Sequence, residues 1–299
     1  LKQSYFNFEF NNGEFKFGQH IIPFGLEQYT NGNDRIFLED SSFNIVSKNV
    51  FWGVSLRYRT NPYNFFVSFI TDCLDYIDVE QYYNKKIIIS LRSVYNTPLD
   101  REHLWQLGFS FRHYKALQTQ FLLKEIMGIE DVPSLMKMSS NLNSNYSVLP
   151  RYNMSGIEFA SRHGCSLFQT EVIYLYAPWK EFDDEFYLAW YAQASFILTG
   201  ERRVYDERYS SFLDPKPAKR SGLLEIAMKI GYVDITNRTP LLSGTSDDDG
   251  KKVTCLFGLT WIWNSGVKLQ LNYTNERILF RTKYPRDISG LGFRVQLAF

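Results

Sequence analysis

The chain has 299 residues, 17% aromatic and 22% charged, with a net charge of +1 and a mean hydropathy of -0.28. That charge balance excludes a general nucleic-acid-binding surface, and no apolar run of about 18 residues exists to cross a membrane as a helix. Cys73, Cys165 and Cys255 share no close spacing, which leaves neither a disulfide framework nor a zinc pattern.

From the N-terminus onward the sequence reads as segments of period two separated by turn signals. The opening stretch LKQSYFNFEF lacks the basic region and apolar core of a secretory leader, so the expectation is that any leader has been removed. Residues 4–10 and 14–22 form a predicted hairpin about Asn11-Asn12-Gly13, a strong turn signal. Segments 49–60 and 64–72 follow across NPYN, then 86–94 and 103–115 across NTPLDRE. Residues 116–138, ALQTQFLLKEIMGIEDVPSLMKM, have apolar spacing closer to helical and predict a short helix in a loop or a poorly formed strand. Segments 153–163 and 166–177 meet at His163-Gly164-Cys165, and 185–199 comes next. The last four are 222–235, 253–264, 267–278 and 290–299, with Asn264-Ser265-Gly266 as another tight turn. This gives about thirteen strands in a single domain covering residues 1–299, with no internal repeat. Long polar connections at about 23–48, 117–151, 200–220 and 237–252 alternate with the short turns, as they do between the two rims of a transmembrane barrel.

In the clearest strands one parity is filled by large apolar residues. Trp105, Leu107, Phe109 and Phe111 form one row; Val253, Cys255, Phe257, Leu259, Trp261 and Trp263 another; Val267, Leu269, Leu271 and Tyr273 a third. A soluble sandwich could bury such rows between two sheets. Rows this aromatic favour lipid, where a closed barrel satisfies every backbone amide. With the apolar parity toward lipid, the opposite parity directs Lys16, Arg57, Arg59, Arg92, Arg112, Arg162, Lys229, Lys268 and Arg294 into a lumen. Glu9, Glu14, Glu158, Glu171 and Glu225 share those faces, leaving nine cations against five acids. Rings of Arg and Lys lower a pore's barrier to anions, although a barrel interior also needs paired charges simply to be wet.

Residues 21–40, IIPFGLEQYTNGNDRIFLED, are similar to a stretch following an early strand of the phosphate-selective porins, the porin O and P family. Gly18, Gln19, Pro23, Phe24, Gly25, Leu26, Glu27, Asn33, Asp34, Phe37 and Glu39 carry the match. Residues 187–206, with Leu198-Thr199-Gly200-Glu201, Arg203, Tyr205 and Asp206, resemble the same family, as do 222–235 and the stretch from LFGLTWIWNSGVKLQLNYT to Phe299. The resemblance implies a Gram-negative outer-membrane barrel of about 16 strands. It also implies a homotrimer that contacts outer-membrane lipids and passes phosphate or other small anions through a basic constriction. Two family basic positions are occupied by Ile21 and Asp40 here, which bears on phosphate preference rather than on the fold. Two family strands precede the point where this chain begins, so the expected fold is an all-β transmembrane antiparallel barrel of about 14–16 strands, with strands upstream of Leu1.

Catalytic patterns are absent from the sequence. His20, His103, His113 and His163 form no zinc-protease motif, and no nucleophile elbow or phosphate-cradling glycine loop occurs. Ser110 and His113 lie on opposite parities, which points them apart. Asp247, Asp248 and Asp249 suit calcium by oxygen chemistry but read better as a solvated loop tip. Glu201-Arg202-Arg203 reads as a polar rim or the start of an anion-recruiting mouth. The expectation is a passive porin, not an enzyme, with no cofactor and no nucleic-acid partner. The alternatives are a non-channel barrel whose loops bind a ligand or host surface and, further off, a secreted β-sandwich.

Overall fold

Alternation of large apolar with polar or small side chains gives long antiparallel strands here, because each such segment presents one uniform face on either side of a pleated sheet. A computed structural model describes residues 3–38, 50–72, 86–97, 102–116, 123–125, 136–138, 151–178, 184–234, 236, 250–280 and 284–297. In chain order the elements are β1 (Ser4–Phe10), β2 (Gly13–Ile21), a one-turn helix α1 (Leu26–Tyr29), β3 (Val50–Thr60), β4 (Tyr63–Asp72), β5 (Lys86–Asn96) and β6 (His103–Ala116). Then come β7 (Leu123–Glu125), β8 (Met136–Met138), β9 (Arg151–His163), β10 (Ser166–Ala177), β11 (Glu185–Ile197), β12 (Val204–Asp206) and β13 (Ser211–Leu213). The chain continues through β14 (Leu223–Asp234), β15 (Gly250–Asn264), β16 (Val267–Phe280) and β17 (Arg286–Leu297).

One sheet holds 13 strands in the order β1-β2-β3-β4-β5-β6-β9-β10-β11-β14-β15-β16-β17, so long strands pair with their neighbours in sequence. All of these pairs are antiparallel; Phe109, for instance, faces Ser93 on β5 and Ile157 on β9. Closure differs from the expectation of about 14–16 strands. Among the described residues β1 and β17 are the two edges of an open sheet, each paired on one side, and every residue of β1 is exposed. A closed barrel requires both edges to be consumed. Of the two readings of 116–138, helix or poorly formed strand, the described residues take the strand, as β7 and β8, which pair with each other. Helices this short are marginal, and cross-strand pairing satisfies the backbone instead.

The two faces are inside-out for a water-soluble sheet. Phe8, Phe109, Phe257 and Phe293 lie exposed on the outer face, while Arg92, Gln106, Glu158, Lys229 and Asn272 are buried on the inner one. A sandwich would have covered the apolar rows with a second sheet; this sheet leaves them bare. Short turns at Asn11-Asn12, Asn61-Pro62, Gly164-Cys165 and Ser265-Gly266 gather at one rim, and the connections near 22–49 and 117–150 leave from the other. The connection from β11 to β14 breaks this rule. It is long, springs from the short-turn rim, carries the β12-β13 hairpin and turns inward.

Candidate functional site: the inner face and two inserted segments

Sheet parity delivers the cations. All nine basic residues predicted to face a lumen lie on the inner face, but they do not share one environment. Arg92, Arg112, Arg162, Lys229 and Lys268 are buried, whereas Lys16, Arg57, Arg59 and Arg294 are half-buried. Burial comes from two chain segments that enter the curl of the sheet from opposite rims.

Residues 22–37 form the first segment. Ile22 and Phe24 pack against Tyr152, Met154 and Tyr191 of the inner wall. Gly25 sits at φ 70, where a Cβ would approach Glu171 Oε1 to 2.6 Å, so only glycine fits. Its amide donates to Ser110 Oγ at 3.0 Å. The Glu171 carboxylate then accepts the backbone amides of Leu26 and Glu27, which the one-turn helix leaves without internal partners. Glu27 pairs with Lys229 at 2.5 Å, and Arg112 lies 4.8 Å from the centre of the Phe24 ring. Further along, Lys268 donates to the Asn33 carbonyl at 2.9 Å, Gln270 to the Ile36 carbonyl at 3.2 Å and Arg294 to the Gly32 carbonyl at 3.3 Å.

The second segment, residues 201–218, is held mainly through charge. Arg203 forks onto Glu225 at 2.9 and 2.7 Å and donates to the Asp34 carbonyl at 3.0 Å, which ties the two segments together. Arg92 forks onto Glu158 at 3.0 and 2.6 Å and also donates to the Tyr209 and Ser210 carbonyls, both at 3.0 Å. Such bidentate pairs are the stronger class of charged hydrogen bond. Arg162 donates to the Arg203 carbonyl at 2.9 Å, and Asn64 to the carbonyls of Glu207 and Arg208. Asp214 pairs with Lys268 at 2.7 Å and with Arg203 at 3.4 Å. Burial nevertheless pushes its carboxyl above the usual aspartate range. At the rim Arg208 reaches Glu9 and Glu14, Arg57 and Lys16 also reach Glu14, and Arg59 pairs with Glu207. Tyr205 and Phe212 of the hairpin share one apolar cluster with Leu26 and Phe37 of the first segment.

Two small cavities flank the insertions, of ≈ 20 Å³ beside Lys229 and Arg203 and ≈ 10 Å³ beside Lys16 and Arg57. Each has room for about one water. Arg92, Arg162, Lys229 and Lys268 therefore meet carboxylates and carbonyls of the chain itself while Arg112 lies against Phe24, and the field of the ion-paired cations is largely compensated locally.

Several participants escaped the sequence reading. Lys252 and Glu276 form a buried inner pair at 3.3 Å. Lys252 lies in step with Thr254, but drawing that strand from 253 hid it; β15 begins at Gly250. Arg203, Arg208 and Asp214 sit in a connection with no period to read. Arg203 turns inward rather than recruiting ions at a mouth. On the outer face His113 bonds Asn153 at 2.8 Å, while Ser110 is inside. Inside, His20 Nε2 lies 2.5 Å from Ser55 Oγ, a Ser-His contact the sequence reading missed; both residues are buried and withheld from a substrate. Cys165 and Cys255 are free thiols. Asp40, Cys73, Phe299 and the Asp247 to Asp249 run lie outside the described residues.

The sequence model of a family described as phosphate-selective porin O and P matches residues 147–299. Three of the four resembling stretches fall in that range, and residues 21–40 do not. Among solved structures the chain is similar to OmpT of Vibrio cholerae, an outer membrane protein folded in vitro, in trimer form. Its TM-score is 0.54 at 9% identity, covering 99% of this chain and 80% of that one. Outer-membrane expressed OmpT of Vibrio cholerae gives a TM-score of 0.54 at 9% identity, covering 98% and 79%. At that identity the likeness speaks for the fold alone. No curated protein matches the chain.

Proposed function

This chain belongs to the phosphate-selective porin O and P family, and on that premise we propose that it is a porin of a Gram-negative outer membrane, a passive channel without a chemical step. The observation that carries this reading is the inverted sheet, with bare apolar rows outside and buried charge inside. Lipid is the solvent that suits such an outer face. The trimer form of the Vibrio cholerae relative and the habit of the family support a homotrimer.

A preference for small anions such as phosphate is the finer reading, and nine inward cations support it. Its strength depends on which charges stay uncompensated. Arg92, Lys229 and Lys268 are matched by Glu158, Glu27 and Asp214, while Lys16 and Arg57 share Glu14 and Arg59 meets Glu207, so most of the nine are compensated nearby and the preference is modest. The filled interior favours one second reading, a barrel that conducts little and binds through its loops. Refolded protein in a planar bilayer under a salt gradient separates these. Discrete conductance steps with a reversal potential toward the anion are expected. A silent bilayer would sink the porin reading, and a cation-directed potential would sink the anion preference.

A further inference from the structure

At the short-turn rim, the end of the inserted connection passes close to the outer apolar face. Residues 214–220, DPKPAKR, bring Lys216, Lys219 and Arg220 to the surface, all exposed. Their placement is fixed on several sides. Pro215 and Pro217 restrict the backbone, the Ala218 amide donates to Glu201 at 3.2 Å, and the Gly222 amide donates to the Lys219 carbonyl at 3.1 Å. Trp261 Nε1 donates to the Ser221 carbonyl at 3.1 Å, fastening the loop to an exposed aromatic pair in which Trp261 stacks on Trp263. Between this loop and the β15-β16 turn runs an open groove of ≈ 960 Å³. Among the described residues neither Lys216 nor Arg220 has an ion-pair partner, and the charge of Lys219 acts on Glu201.

We propose that this groove binds the phosphodiester headgroup of an anionic glycerophospholipid. The inference rests on the membrane reading above. Paired tryptophans mark the level of the headgroups on a barrel wall, and a basic cluster at that level meets lipid phosphate. Trp263 and Val267 of the outward row line the groove on its lipid side, and Asp214, Ile262, Lys268 and Gln296 close it toward the interior; the outward row runs on through Leu269, a path for acyl chains that free phosphate would not use. Asn264 and Ser265 of the turn add polar groups at the headgroup end.

The test uses the full chain, refolded into detergent and titrated with phosphatidylglycerol or phosphatidylcholine under native mass spectrometry. Wild type is expected to retain phosphatidylglycerol preferentially, with excess inorganic phosphate failing to compete. Replacing Lys216, Lys219 and Arg220 by Gln should weaken that retention at least about tenfold, and Trp263→Ala should weaken both lipids. Equal retention by the triple variant, or displacement by inorganic phosphate, would overturn the lipid site. Insertion into vesicles is read separately on the same variants. A triple variant that inserts but keeps the preference refutes only this site, whereas a wild type that fails to insert refutes the membrane reading and the site together.

Discussion

Arg92 illustrates what one residue reveals and conceals. Its inward direction follows from the alternation Ser90, Arg92, Val94 on β5, and the sequence alone supplies that much. Its partner, Glu158, sits two strands away, and the space for the Glu158 side chain is provided by Gly108, where a Cβ would come within 2.5 Å of that carboxylate. No local pattern encodes such a three-strand coincidence. Because the pair is buried, removing one member strands the other charge. Arg92→Ala is therefore expected to destabilise the folded state by about 3–5 kcal/mol, read as a lower urea midpoint for protein folded in lipid vesicles. Arg59→Ala removes a more exposed pair and should cost under about 1 kcal/mol. Equal losses for the two would refute the buried-pair account.

At the scale of elements, the long strands were legible because each repeats one binary rule over seven or more residues, and turns such as Asn11-Asn12-Gly13 carry their own chemistry. The β12-β13 hairpin was not. Its strands are three residues each, its backbone carbonyls accept from side chains of a distant wall, and the rim it springs from is set by counting strands across the sheet. It nonetheless controls the interior, since Arg92, Arg162 and Asn64 all bond its backbone or the residues just before it. Deleting 204–213 should leave the sheet intact and uncover those side chains. The expected result is a several-fold larger single-channel conductance with unchanged heat-modifiable mobility. Unchanged conductance would show that the hairpin does not narrow the path.

For the whole molecule the decisive property is which solvent each face meets. Phe257 lies at the middle of β15, 55% exposed between Met228 and Tyr273 of the neighbouring strands. Facing lipid at mid-depth, Phe257→Lys should cost about 2–4 kcal/mol of stability in bilayers, seen as a reduced folded fraction in vesicles. In a water-facing role the same change would be nearly neutral, and that outcome would reject the membrane placement. The sequence by itself determined the strands, their faces and the direction of the nine cations, because period-two alternation and turn residues act over a few neighbouring positions. Only the tertiary structure decided that two segments enter from opposite rims and that Glu158, Glu27, Glu225 and Asp214 compensate the deep cations. Those pairings join residues far apart in the chain, and they form because burial makes an unpaired charge costly wherever its partner must come from.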